Sequence, residues 1–199
     1  MNKYTGVLGV YNCQGAAWNT RERINTFHQT GTDALTSHIR GQDVHLIAEA
    51  ATDPESWTGD SAVYSHRNNQ LVTLPHKAAL PVSLKVLEYE VFTVTPIKVL
   101  APGVNFAPLG LIHMFNAGGA IQGLKYEVIH GKSGSVGKVE VQVKGCGVFG
   151  AYSFVKPRKA TVGSNEVEFT YDSESGLVTL SLDQMPDEIQ KFHIVEIEL

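Results

Sequence analysis

Val7-Leu8-Gly9-Val10-Tyr11 opens the chain as an unbroken apolar run with a polar tip, Asn12-Cys13-Gln14. Apolar residues without alternation are the pattern of a strand covered on both faces, the kind found in parallel sheets flanked by helices. Nothing downstream repeats it with a helix behind it. The expectation is that residues 1–43 are the end of a truncated (β/α) barrel: last strand, rim loop and a polar connecting segment. Within 19–43 the Asp33 to Ile39 stretch reads as a short helix, with Asp33 as its cap and Leu35 and Ile39 on one face.

From Val44 onward the pattern changes. Short strands recur with turn chemistry between them. Asp60 to His66 and Gln70 to Leu74 flank Arg67-Asn68-Asn69, which reads as a hairpin turn. Pro81 to Val94 reads as one long central strand, apolar on both faces and ended by Pro96, Pro102 and Gly103. Further strands are predicted at Val104 to Phe115, Gly123 to Ile129, Gly137 to Lys144, Phe149 to Val155, Glu166 to Tyr171, Leu177 to Leu182 and His193 to Leu199. Many short strands with Gly, Asn, Asp and Ser turns define residues 44–199 as an antiparallel β-sandwich. The fold class is mainly β.

The chain has 199 residues, enough for one domain or one domain plus a fragment. Its formal net charge of −4 argues against a nucleic-acid groove. The densest basic stretch, Lys156-Pro157-Arg158-Lys159, reads as a solvated turn. Two cysteines, Cys13 and Cys146, form no disulfide framework, and there is no Asn-X-Ser/Thr sequon. No apolar run reaches the ~20 residues of a membrane span, and no signal pattern opens the chain. These features point to a cytoplasmic protein without a membrane or nucleic-acid partner.

Motifs of general chemistry are few. Gly145-Cys146-Gly147-Val148-Phe149-Gly150 matches the spacing of a dinucleotide fingerprint, but an alternating strand follows where a helix is required. It reads as a Gly-rich hairpin turn. Gly131-Lys132-Ser133 lacks the earlier glycine of a phosphate loop, because Tyr126 stands there. His28, His38 and His45 share a region without metal-ligand spacing, and no cofactor or metal is implied. Cys13 has no partner base within reach of the sequence. Glu88 and Glu90, at i and i+2 of a strand, would sit side by side. Glycoside hydrolysis needs carboxyls facing each other across the bond. The pair is not catalytic on this reading, and no catalytic residue is assigned.

Several segments carry a family resemblance: GVLGVYNCQGAAWN, FHQTGTDALTSHIRGQDVHLIAEAA, LPVSLKVLEYEVFTVTPIKVLAPG, FAPLGLIHMFNAGGAIQGLKYE, KGCGVFGAYSFVKPRK and HIVEIEL. In order and over essentially the whole chain, they resemble the plant raffinose synthase and seed-imbibition group of glycoside hydrolase family 36. That family includes galactinol–sucrose galactosyltransferases and alkaline α-galactosidases. Its members are several times longer, with an N-terminal β-domain, a catalytic barrel and a C-terminal sandwich. The resemblance implies that both catalytic aspartates lie upstream of this chain.

It further implies that galactosyl oligosaccharides, or galactinol and sucrose, meet these residues only beside an intact barrel. The positions it offers for substrate contact are Tyr11, Asn12, Cys13, Gln14, Gly15 and Trp18. Asn and Gln amides suit sugar hydroxyls, and an indole suits a pyranose face. Ala16-Ala17-Trp18 is similar to the seed-imbibition or alkaline α-galactosidase branch, where raffinose synthases proper carry glycines. The short Ile129 to Ser135 connection replaces a longer acidic insert. The expected function is a fragment of an α-galactosyl-transferring or α-galactosidase enzyme, inactive alone. The alternative is a carbohydrate-binding or barrel-supporting module.

Overall fold

The computed structural model describes residues 2–27, 34–51, 55, 57–131, 134–182 and 192–199. In chain order the strands are β1 Gly6–Tyr11, β2 Ala16–Asn19, β3 Ile24–Phe27, β4 Leu35–Ile39, β5 Ser61–Ser65 and β6 Gln70–Leu74. There follow β7 Leu80–Leu84, β8 Tyr89–Pro96, β9 Lys98–Ala101, β10 Val104–Leu111, β11 Ile121–Gly131 and β12 Gly134–Val143. The last are β13 Gly147–Ser153, β14 Lys159–Val162, β15 Asn165–Glu166, β16 Thr170–Asp172, β17 Leu177–Leu182 and β18 His193–Glu198. Every strand pair among the described residues is antiparallel.

Three sheets stack. The middle one has the order β16–β17–β13–β10–β9. From one face Phe106, Leu111, Phe149 and Leu180 pack on Val139, Val141, Val195 and Ile197 of the sheet β11–β12–β18–β14–β15. From the other, Ala107, Leu109 and Tyr152 meet Ala62, Tyr64 and Leu71 of the sheet β1–β8–β5–β6. Residues 106–111 are therefore buried without interruption. The far face of the β1–β8–β5–β6 sheet carries Val63, Phe92 and Val94. It is covered by the β4–β7 ribbon and by two short 3₁₀ turns, Gly41–Asp43 and Ile47–Ala50. The outermost sheet is polar where it faces solvent, with cross-strand ion pairs Lys125–Glu140 at 2.9 Å and Lys138–Glu196 at 3.1 Å.

Several sequence expectations are met. The β5–β6 hairpin closes with Ser65 opposite Gln70, and Asn69 takes the left-handed conformation its turn needs. The strands from β10 onward fall where they are predicted, except that 166–171 divides into β15 and β16 and that β14 is an additional strand, beginning at Lys159 where the sequence reads as a solvated turn.

Four expectations are corrected. The strand at residues 6–11 does not stand apart from the sandwich sheets. It pairs antiparallel with β8, Gly6 opposite Val94 through Tyr11 opposite Tyr89, as the edge of the β1–β8–β5–β6 sheet. Nor is it covered on both faces: Val7 and Tyr11 are exposed, while Leu8 and Val10 join the core. Gly6 lies against Val44, and any Cβ there would run into the valine side chain. A boundary at 43/44 thus separates strands that bond to each other, β1 to β8 and β4 to β7.

The long strand from Pro81 to Val94 is two strands, broken at Lys85 to Glu88. Leu87 sits there at φ 64° without a glycine to signal it. Leu35–Ile39 is strand β4 and not helix, because it pairs with β7; Asp33, the proposed cap, and His28 lie outside the described residues. The Gly145 to Gly150 turn is no hairpin: it carries the chain from β12 to β13, which lie in different sheets.

His66 ties two of these sheets together. Its ring nitrogens meet the Ile112 carbonyl at 3.2 Å and the Thr93 hydroxyl at 2.8 Å. Its ring stands edge-on to Tyr64 and Phe115. Burial lowers its pKa below the ordinary histidine value, against the opposing pull of the Ile112 bond and the Glu90 charge. The folded state therefore binds fewer protons here than the unfolded chain. The stability this site contributes is complete above the unfolded histidine pKa of about 6.5 and is lost as pH falls from there towards the depressed folded value. Urea unfolding at a series of pH values should show stability falling as pH drops below about 6.5. His66→Gln should flatten that slope, leaving the separate loss at carboxylate pH unchanged.

Candidate functional site

The rim begins where β1 runs out. Asn12 follows the strand, and its side chain is buried. Its Nδ2 donates to the Leu84 carbonyl at 2.9 Å, and its Oδ1 accepts the Gln14 N–H at 2.9 Å. Its backbone exchanges two bonds with the β7–β8 turn: Asn12 N–H to the Glu88 carbonyl, and Leu87 N–H to the Asn12 carbonyl, both at 3.0 Å. This one asparagine therefore fixes the Leu87 turn and starts the next one, in which Gly15 takes φ 79°.

Around that joint lies an open groove of about 380 Å³, lined by Tyr11, Asn12, Cys13, Gln14, Leu35 and Val82 among others. Four of the six sequence candidates meet at its lip. Gly15 serves the turn beside it. Trp18 is elsewhere: it stands exposed on the separate β2–β3 ribbon and does not line the groove. Cys13 and Cys146 are both free and exposed.

Residues that the sequence did not single out complete the rim. Tyr11 stacks on its register partner Tyr89 with centroids 5.9 Å apart and planes at 26°. The Arg67 guanidinium lies 5.3 Å over the Tyr89 ring and donates to the Tyr89 carbonyl at 2.5 Å. The result is an exposed aromatic pair held rigid by a cation, which costs little to order around a ligand. The signal for Tyr89 was its place opposite Tyr11, which requires the β1–β8 register.

Glu90 anchors the same end from within. It is buried, and its carboxylate accepts from Ser65 Oγ at 2.7 Å, Asn68 Nδ2 at 3.0 Å, Arg67 N–H at 3.1 Å and Val91 N–H at 2.8 Å. Glu88 is not beside it on a strand. It precedes β8, and its carboxylate accepts the Lys85 N–H at 2.8 Å. Both border a polar cavity of about 310 Å³ between β7 and the sheet. Each carboxylate is occupied with holding backbone, which is unsuited to flanking a glycosidic bond. Among the described residues no three His, Cys, Asp or Glu side chains gather as a metal set.

The described residues define a layered antiparallel sandwich with a stacked aromatic pair at the rim. The chain belongs to the family described as raffinose synthase or seed imbibition protein Sip1, whose profile matches residues 1–182. It is 59% identical over 199 residues to the Arabidopsis thaliana protein named probable galactinol–sucrose galactosyltransferase 6, covering 100% of this chain and 26% of that relative. It is 43% identical to the Arabidopsis thaliana probable galactinol–sucrose galactosyltransferase 1, covering 98% and 25%. To the Pisum sativum galactinol–sucrose galactosyltransferase it is 31% identical, covering 87% and 21%. The chain spans about a quarter of the length of the curated relatives it matches.

Asn12→Ala should destabilise the fold by about 1–3 kcal/mol, because it strands the buried Leu84 carbonyl. Gln14→Ala should stay within about 0.5 kcal/mol of the parent, as expected for an exposed side chain. Paired urea titrations measure both. Equal effects would contradict the assignment of Asn12 as the joint.

Proposed function

We propose that this chain is part of an α-galactosyl-transferring or α-galactosidase enzyme of raffinose-family oligosaccharide metabolism, and that it has no turnover alone. The observation that carries the reading is the match along its whole length to relatives named galactinol–sucrose galactosyltransferase, of which it spans about a quarter. The engaged state of Glu88 and Glu90 supports the second half. The role of the chain is then to present the Tyr11 to Gly15 rim, with Tyr89 and Arg67, to a galactosyl oligosaccharide held by the remainder of the enzyme. Retaining transfer would use two aspartates outside this chain. Trp18 joins that surface only if the β2–β3 ribbon borders the same substrate. A cytoplasmic setting fits the two free cysteines and the lack of sequons; among the described residues no helix is long and apolar enough to cross a membrane.

A second reading, a carbohydrate-binding or barrel-supporting module, is favoured by the exposed Tyr11–Tyr89 stack. Neither reading gives the isolated chain turnover. Purified chain, assayed with an aryl α-galactoside and with galactinol plus sucrose, should release or transfer no galactose. Turnover that persists through removal of host glycosidases, and disappears in a Glu90→Gln variant, would place a catalytic carboxylate inside this chain and overturn the proposal.

A further inference from the structure

A third cavity shares no residue with the rim groove or with the polar cavity beside Glu90. It has a volume of about 200 Å³ and lies where the segment before β1, the β8–β9 connection and strand β11 converge. Three aromatic residues line it: Tyr4, Trp57 and Tyr126. Each is held by a different contact. Lys3 Nζ sits 5.0 Å from the Tyr4 ring, Trp57 Nε1 donates to the Asp60 carbonyl at 2.8 Å, and Tyr126 stands edge-on to Phe106 at 6.4 Å. The rings are thus in place before a ligand arrives, which removes an ordering cost from binding.

The lining also decides what fits. Among the described residues the lining has no carboxylate to offer a metal ion or an organic cation a counter-charge. Among the described lining residues Lys98 is the one ammonium, it already has a partner, and no second cationic side chain joins it to receive a phosphate. The described lining suits a neutral ligand. Pockets for drug-sized molecules run to about 300–1,000 Å³, so this one takes a single ring. Aromatic walls with Thr58 and two phenols among them suit a ring that has an apolar C–H face and a hydroxyl rim.

We propose that this junction cavity is a binding site for one neutral hexopyranose unit, separate from the rim. Its existence does not depend on the enzyme reading; a preference for galactose over glucose would.

The two indole N–H signals of the intact chain, Trp57 and Trp18, distinguish the sites by nitrogen–proton NMR, with Trp18→Phe giving the assignment. Titration with methyl α-galactopyranoside or methyl α-glucopyranoside should move the Trp57 signal saturably. At about 0.3 kcal/mol per heavy atom for twelve or so atoms, the expected Kd is on the order of 1–10 mM. Leu124→Trp, which fills the cavity, should weaken this about tenfold or more. Should that variant not fold, Thr58→Val, which keeps the volume and removes the hydroxyl, should weaken it several-fold. A Trp57 signal that stays still up to about 100 mM of either glycoside, well above that Kd, overturns the proposal. So does movement of Trp18 alone, or tighter binding of cyclohexanol than of both sugars.

Discussion

Burying both faces of the β16–β17–β13–β10–β9 sheet is the constraint on which the remainder of the molecule depends. Phe106 and Phe149 face one neighbour, Ala107, Leu109 and Tyr152 the other. A sheet covered on both sides needs two further sheets to cover it, and each of those must then hide or hydrate its own outer face. The β11–β12–β18 side does so with charged pairs on its exterior. The β8–β5 side cannot, because Val63, Phe92 and Val94 are apolar there. It requires the β4–β7 ribbon, the 3₁₀ turns and strand β1 with Leu8 and Val10. The N-terminal segment is thereby part of the packing.

The rim follows from that arrangement. β1 reaches β8 in a register that sets Tyr11 opposite Tyr89, and it ends where Asn12 can grip Leu84, Leu87 and Glu88. Glu90 fastens the β5–β6 turn from below, so Arg67 is positioned over Tyr89. The polar groups with the strongest sugar-binding chemistry in the sequence, an amide and two carboxylates, are spent on holding backbone. What remains free to meet a ligand is mostly aromatic and apolar surface.

Much of this was legible in the chain. The switch to short strands, the Arg67-Asn68-Asn69 turn and the strands from β10 onward other than β14 follow from turn residues and periodicity. The criterion of an unbroken apolar run was sound for residues 106–111 and misleading for residues 7–11. Gly9 interrupts the latter, and Gly6, just before it, marks a close approach to Val44 that only the folded chain reveals. The break at Leu87 carried no Gly, Pro or Asn, because long-range bonds from Asn12 hold it. The same holds for the site. Gln14 stands exposed at the rim, but Tyr11 is exposed although its apolar run reads as covered on both faces, and the burial of Asn12 depends on a carbonyl 72 residues away.

The central claim, that β1 is an integral edge of the sandwich, is tested most directly by segment-resolved amide hydrogen exchange on the soluble chain. The account predicts that the amides of Val7 to Tyr11 that face β8 exchange slowly, within about an order of magnitude of those in Val91 to Val94. Free exchange throughout residues 6–11, with β8 still protected, would show that the strand stands outside the fold and would contradict it.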